Sequence, residues 1–183
     1  QRLVATLVKR YLKSQTNRQT EVYFIEQITP IFHWAIRSFP QHNIVGSEYL
    51  GYEHQSGISI NGIYHEDVMN LSFNDNSLDL IVSNDVFEHV PKPKIAFKEC
   101  ARVLQPGGIM LATIPFHKNQ DKSITRAELR EGGVKYLLPP IYHGNPVSEN
   151  GSLVFTDFGW DILESLRNAG FSEADVKVYG SSF

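Results

Sequence analysis

Residues Leu80–Val90 read LIVSNDVFEHV. An apolar run ends abruptly in Asn84-Asp85, and Glu88-His89 follow just ahead of Pro91. A bare turn at such a point would use Gly or Asn-Gly. Here a strand leaves a core and finishes in polar and acidic side chains. That is the pattern of a strand end that opens onto a ligand.

Working outward, LDLIVS (Leu78–Ser83) reads as a strand covered on both faces, the fourth of the chain. Upstream, Leu3, Val4, Leu7, Val8, Tyr11 and Leu12 fall at helical spacing, and SQTNRQT breaks that helix. EVYFI (Glu21–Ile25) is the first strand. Thr29-Pro30 starts a helix, with Thr as N-cap and Pro where its missing N–H costs nothing. Ile31, Trp34, Ala35 and Phe39 are expected to form its buried stripe. NIVGS (Asn43–Ser47) is the second strand, and Ile63–Glu66 a weak third that ends at Asp67. Residues 51–63 read as a loop or short edge hairpin.

Downstream, Pro93–Leu104 is a helix with Phe97, Cys100, Ala101 and Leu104 inward, stopped by the turn QPGG. IMLATI (Ile109–Ile114) is the fifth strand. Residues 115–156 read as a long irregular stretch, too long for a mere connection and therefore expected to be a lid or acceptor loop. TDFGWDILESLRNAG reads as a capped helix ending at Gly170, and ADVKVYG as a last strand. Strands alternating with crossover helices predict an α/β, Rossmann-like, doubly wound and mostly parallel sheet with helices on both faces.

The chain has 183 residues, so one domain over residues 1–183 is expected, with residues 1–20 as its N-terminal helix and break. It is 42% hydrophobic and 20% charged, the balance of a folded globular domain. A net charge of −3 gives no basic footprint and argues against nucleic acid as an obligate partner. The single cysteine, Cys100, excludes an internal disulfide framework and reads as a small buried side chain. No apolar run approaches the roughly 20 residues of a membrane span, and no signal peptide is seen. A cytoplasmic setting is the expectation.

In an open parallel sheet, ligands bind beyond the carboxyl ends of the strands. Those ends are Glu26, Glu48, Asp67, Asn84-Asp85 and Pro115-Phe116. Glu48 lies 22 positions after Glu26, a spacing suited to a carboxylate that accepts from two ribose hydroxyls. Asp67 reads equally as a turn cap and Asn84 as an Asx turn. His89 and His143 are the candidate catalytic residues. His89 also suits a bond to a carbonyl, and loops hold many idle histidines. No metal-ligand spacing such as HExxH occurs.

The segments GSEYLG, HEDVMNLSFNDNSLDLIVSNDVFEHV and ECARVLQPGGIMLATIPF resemble consecutive parts of the class I S-adenosylmethionine-dependent methyltransferases over about residues 20–180. The resemblance implies S-adenosylmethionine as cofactor. Glu48 would hold its ribose, and Tyr49 or Leu50 would cover the adenine. Asp67 would take the adenine amino group, and the Val68 N–H a ring nitrogen. Asn84-Asp85 would lie beside the methionine part, with Glu26 on its ammonium. His89 would stand near the reacting end. Methyl transfer to a small molecule or a saccharide is the implied activity.

The sequence departs from that family in its first loop, where VYFIEQITPIF has Glu26, Ile28 and Pro30 where glycines are expected. This departure supports an alternative, a methyltransferase-like binding or scaffold domain that takes no cofactor. A nicotinamide-dependent oxidoreductase is weaker, because no Gly-rich phosphate turn and no Tyr-x-x-x-Lys pair is present. Phe116, Tyr136, Tyr142, His143 and Phe155 are candidate linings of an acceptor pocket. Only one terminal strand follows the last helix, so the chain is expected to stop short of the family's closing hairpin. Glu48, as a rim carboxylate, is expected to matter for ligand and hardly for stability.

Overall fold

The computed structural model of the protein describes residues 2–16, 18–145 and 148–177. In chain order it runs α1 (Arg2–Ser14), β1 (Glu21–Phe24), α2 (Pro30–Ser38), β2 (Asn43–Gly46), β3 (Ile58–Ile60), β4 (Ile63–His65) and β5 (Leu78–Asn84). A 3-10 turn (Phe87–His89), α3 (Pro93–Val103) and β6 (Leu104–Thr113) follow. Then come β7 (Ile124–Thr125), β8 (Ala127–Arg130), β9 (Gly133–Tyr136), β10 (Tyr142–Asn145), β11 (Ser148–Leu153), β12 (Thr156–Asp157) and α4 (Ile162–Ala169).

The central sheet has the order β2-β1-β5-β6, and every pairing in it is parallel. Its side chains alternate as period-two strands must. Val22 and Phe24 of β1, with Leu80 and Val82 of β5, face Val4, Val8 and Leu12 of α1 and Ile31 and Ala35 of α2. Tyr23, Ile25 and Ile81 face the other way, onto Phe97 and Cys100 of α3 and Ile162 beyond them. Both faces are therefore covered, as the doubly wound expectation requires. Full burial of each large apolar side chain contributes about 1.5–3 kcal/mol. Cys100 is one of these buried groups, and burial pushes its thiol up to about 12, which leaves it inert.

One charged residue interrupts β5. Asp79 is buried, accepts the Glu21 N–H at 2.8 Å and pairs with Arg18 at 2.6 Å. It sits at the start of the strand, away from the carboxyl rim, and its charge is compensated there. On β2, an added Cβ at Gly46 would lie 2.7 Å from the Phe32 ring, so glycine lets α2 press directly on the strand.

Several expectations need correction. In α2, Phe32 is buried with Ile31, Ala35 and Phe39, while Trp34 is only half-buried. The third strand does not join the sheet as a strand. Ile63–His65 pairs antiparallel with Ile58–Ile60, and a single Glu48–His65 bridge links that hairpin to the rim. QPGG is part of a bulge in β6: Leu104 pairs with Leu78 and Ile109 with Leu80. Gly107 takes φ 83° there, and a Cβ on Gly108 would approach the Gln105 carbonyl at 2.9 Å. Residues 115–156 are not irregular but a set of two-stranded pairings, β8–β9, β10–β11 and β7–β12.

The last helix starts later than its sequence suggests, because Thr156-Asp157 form β12. Its cap position, Asp161, uses its side chain to accept from Ser123 N and Oγ, at 2.8 and 2.6 Å. The final strand expected over residues 174–180 lies partly outside the described residues, and residues 174–177 form no strand. No described helix is long and apolar enough to cross a membrane.

Candidate functional site

The strand order reverses between β1 and β5, the place where an open parallel sheet receives its ligand. Three of the acids and amides expected at the rim meet around it. Asn84 N donates to Glu26 Oε1 at 2.6 Å, tying the ends of β1 and β5 together. The other Glu26 oxygen is buried beside the Asn84 side chain, and neither it nor the Asn84 amide makes a well-formed hydrogen bond. Burial pushes the Glu26 carboxyl up to about 8. Asp85 turns the chain away with φ 56°, and its N–H is held by the Thr113 carbonyl at 2.9 Å.

Glu48 is at the same rim, 8% exposed, and Ile28 N donates to its Oε1 at 2.7 Å. Burial raises its pKa as well. The turn of residues 25–30 contains no residue with positive φ, which is why it closes without glycine. Ile28 is 37% exposed, so its bulk lies at the surface of that turn. The Glu48 carboxylate thus supports the turn, and the expectation that it carries little structure is corrected.

The adenine-side candidates are arranged by the β3–β4 hairpin. His65 is buried and its Nδ1 accepts the Leu50 N–H at 3.0 Å. The Tyr49 ring lies 5.6 Å from the His65 ring and is half exposed. Asp67 does act as a turn cap: its Oδ1 accepts from Met69 N at 2.8 Å. Val68 is buried against the core.

A second centre lies further along the rim. Glu88 is 1% exposed, and neither of its oxygens has a hydrogen-bond partner. His89 Nε2 lies 3.5 Å and His143 Nδ1 3.6 Å from Glu88 Oε1. The two imidazoles cross at 90° with centroids 4.9 Å apart. His89 Nδ1 is 2.9 Å from the Leu153 carbonyl, so Nδ1 carries the proton. Burial pushes Glu88 up to about 7 and His89 down, so each shift works against an ion pair between them.

A cavity of about 320 Å³ opens on this centre, lined by Glu88 and His143 with Pro115, Arg126, Ile141 and Asp157 among its walls. Arg126 is fixed by Asp157 at 2.5 Å and by the Pro139 carbonyl at 2.8 Å. Among the expected linings only His143 reaches it. Phe116 packs edge-on against Trp160, Tyr136 and Tyr142 share a hydrogen bond at 3.1 Å, and Phe155 is buried. Sequence reading missed Glu88, although it stands inside EHV. It also missed Arg126 and Asp157, whose pairing spans 31 positions.

Residues 46–112 match the methyltransferase-domain family. Over that span the chain is similar to S-adenosylmethionine-dependent methyltransferases. It is 35% identical over 120 residues to the ubiquinone/menaquinone biosynthesis C-methyltransferase of Campylobacter jejuni, covering 60% of this chain and 48% of that protein. It is 30% identical over 102 residues to the ubiquinone biosynthesis O-methyltransferase of Maricaulis maris, covering 41% and 40%. The chain thus spans less than half the length of these two relatives.

Among solved structures, an S-adenosylmethionine-dependent methyltransferase from Mesorhizobium loti superposes with a TM-score of 0.50 at 16% identity, over 89% of this chain and 80% of that one. A chain of the complex between the Haloferax volcanii Trm112 methyltransferase activator and a methyltransferase superposes equally well, at 0.50 and 18% identity, over 95% and 74%. These likenesses establish the α/β fold.

The family's cofactor is S-adenosylmethionine, and the rim can be tested for it. A buried carboxylate oxygen and a buried amide, neither in a well-formed hydrogen bond, stand at the switch point. An ammonium and a carboxylate are the groups that would satisfy them. The residues present fit the methionine end of the cofactor.

Proposed function

We propose that the chain is a methyltransferase that holds S-adenosylmethionine along the rim from Glu48 to Asn84 and methylates a small molecule seated in the cavity beside Glu88. The observation that carries this reading is the set of buried atoms on Glu26 and Asn84 without a well-formed hydrogen bond. When bound, the cofactor supplies a methyl group on a positively charged sulfur. Glu26 would pair with its ammonium and the Asn84 amide with its carboxylate. Asp85 would flank the same end. Glu48 would accept from the ribose with its second oxygen. Tyr49 and Leu50 would cover the base, beside Asp67 and the Val68 N–H.

The residues of this chain position the partners more than they react. Arg126 and Asp157 line the cavity with His143, which is the group at hand for a proton leaving the acceptor, while His89 stands behind it against Glu88. The names of the relatives place them in quinone biosynthesis, which sides with a small-molecule acceptor over a saccharide. A cytoplasmic setting remains part of the proposal.

The scaffold reading has one observation in its favour, the Glu48 oxygen already bonded to Ile28 N. Calorimetric titration with S-adenosylhomocysteine separates the two. Parent protein should bind, and Glu48→Ala should lose on the order of ten- to a hundredfold in affinity, since a hydrogen bond to a charged group contributes roughly 1.5–3 kcal/mol. Glu48→Gln should lose less. A folded parent that binds nothing would establish the scaffold reading, and tight binding untouched by Glu48→Ala would remove the ribose role.

A further inference from the structure

We propose that Glu88, His89 and His143 form a binding site for one divalent transition-metal ion of the zinc type, with its open position facing the cavity.

The site begins with a carboxylate in the wrong place for an idle one. The Glu88 side chain is 1% exposed, and no donor among the described residues reaches either oxygen. Isolated charge in such a position is costly, and buried charges are paired or coordinate metals. Its nearest polar neighbours are the two imidazole nitrogens at 3.5 and 3.6 Å, both measured to the same oxygen. These separations are long for hydrogen bonds. They match the ligand-to-ligand edge of a tetrahedral site, about 3.4 Å for metal–ligand bonds of about 2.1 Å. One donor atom from each of the three residues falls within 4.8 Å of the other two. A modest rotation of His143, the most exposed member, closes the remaining distance.

The proton positions agree. The His89 Nδ1–H is directed at the Leu153 carbonyl at 2.9 Å, which leaves the lone pair of Nε2 facing Glu88. Metal-bound histidines carry such an outer hydrogen bond, because it fixes both tautomer and ring orientation. The bond ties His89 to the end of β11, so sheet and hairpins close on the site from two sides.

The donor set selects the metal. Two imidazoles and one carboxylate suit zinc, iron, cobalt or nickel, whereas magnesium and calcium prefer oxygen throughout. Three protein ligands leave a position for an exogenous one, the arrangement of a catalytic rather than a structural site. Glu88 and His143 both line the 320 Å³ cavity, so that position points into it. An acceptor hydroxyl or carboxylate oxygen is the chemical class that would bind there, with Arg126 also lining the cavity and favouring an anionic oxygen.

The inference stands apart from methyl transfer, because its test needs neither cofactor nor acceptor. Chelator-stripped protein is titrated with zinc chloride by calorimetry, and with cobalt chloride by visible absorption. One ion per chain is expected, with the intense absorption of low-coordinate cobalt. Glu88→Gln and His143→Ala should each weaken binding by at least about tenfold. Circular dichroism checks the fold of each variant. His143 is well exposed, so its variant remains informative if Glu88→Gln unfolds. Absence of stoichiometric binding in the parent, or binding that survives either substitution in a folded variant, would overturn the site.

Discussion

Glu26 shows how one residue at a strand end couples structure to ligand. One oxygen ties β1 to β5 through Asn84 N, and the other is buried without a well-formed hydrogen bond. Its carboxyl is pushed from 4.5 to about 8 by burial. A raised carboxyl pKa favours the folded state while the group is protonated. That contribution is complete below pH 4.5 and is lost as the pH climbs through about 8. Glu26→Gln keeps the acceptor for Asn84 and removes the titration. Thermal melts between those limits should show the parent losing stability with rising pH and the variant changing much less. If S-adenosylhomocysteine places its ammonium on Glu26, its affinity should rise across the same window in the parent and stay flat in Glu26→Gln. Parallel melting curves for the two proteins would refute the assignment. Glu48 carries a separate consequence. Glu48→Ala leaves the Ile28 N–H unpaired, so beyond its loss of affinity it should cost about 1–3 kcal/mol in denaturant unfolding.

At the scale of elements, the decisive contrast is between β5 and the hairpins of residues 115–156. Strand β5 is paired on both sides and buried throughout except at Asn84. The hairpin β8–β9 is exposed along most of its length and pairs with no other strand among the described residues. Backbone amides of Ala127–Tyr136 should therefore exchange with solvent far faster than those of Leu78–Ser83. The hairpins meet the sheet through Glu88: the Phe155 N–H donates to its carbonyl at 2.7 Å, and Arg126 holds the β12 side chain of Asp157. If this segment covers the acceptor, cofactor and acceptor together should slow its exchange. Exchange rates that do not change at saturation would count against a lid. Elsewhere the elements are pinned by single residues. Arg102 donates to Glu99, Asp75 and the carbonyls of Leu71 and Phe73, so the arginine of RVLQPGG anchors the segment before β5.

Over the whole molecule, one sheet separates two apolar layers, and each layer has an aromatic at its centre. Phe24 is buried on the α1–α2 side and Phe97 on the α3 side, both fully. Phe24→Ala and Phe97→Ala should each cost about 3–5 kcal/mol. Because the strands between them are shared, both should lower one common transition, read by circular dichroism and by tryptophan fluorescence alike. Separate transitions for the two probes would show that the layers fold independently.

The sequence alone determined the strands, the crossover helices and the acid-rich rim, because these depend on short-range patterns. A buried strand must be apolar, Thr-Pro must open a helix, and a parallel sheet must present its carboxyl ends together. Glu26, Glu48 and Asn84 were legible for that reason. Tertiary structure decided what those side chains touch. Only the folded chain brings Ile28 N onto Glu48, and it does so because a turn without positive φ points that N–H at the neighbouring strand end. Only the fold turns Ile63–His65 into a hairpin and Gln105–Gly108 into a bulge, since pairing partners are not written in either segment. The centre at Glu88 was the least legible. His143 lies 55 positions beyond Glu88 in a stretch with no helical or strand period, and their approach is set by packing of the hairpins against the end of β5. Burial of the carboxylate, which gives the cluster its chemistry, is a property of that packing and not of the residue.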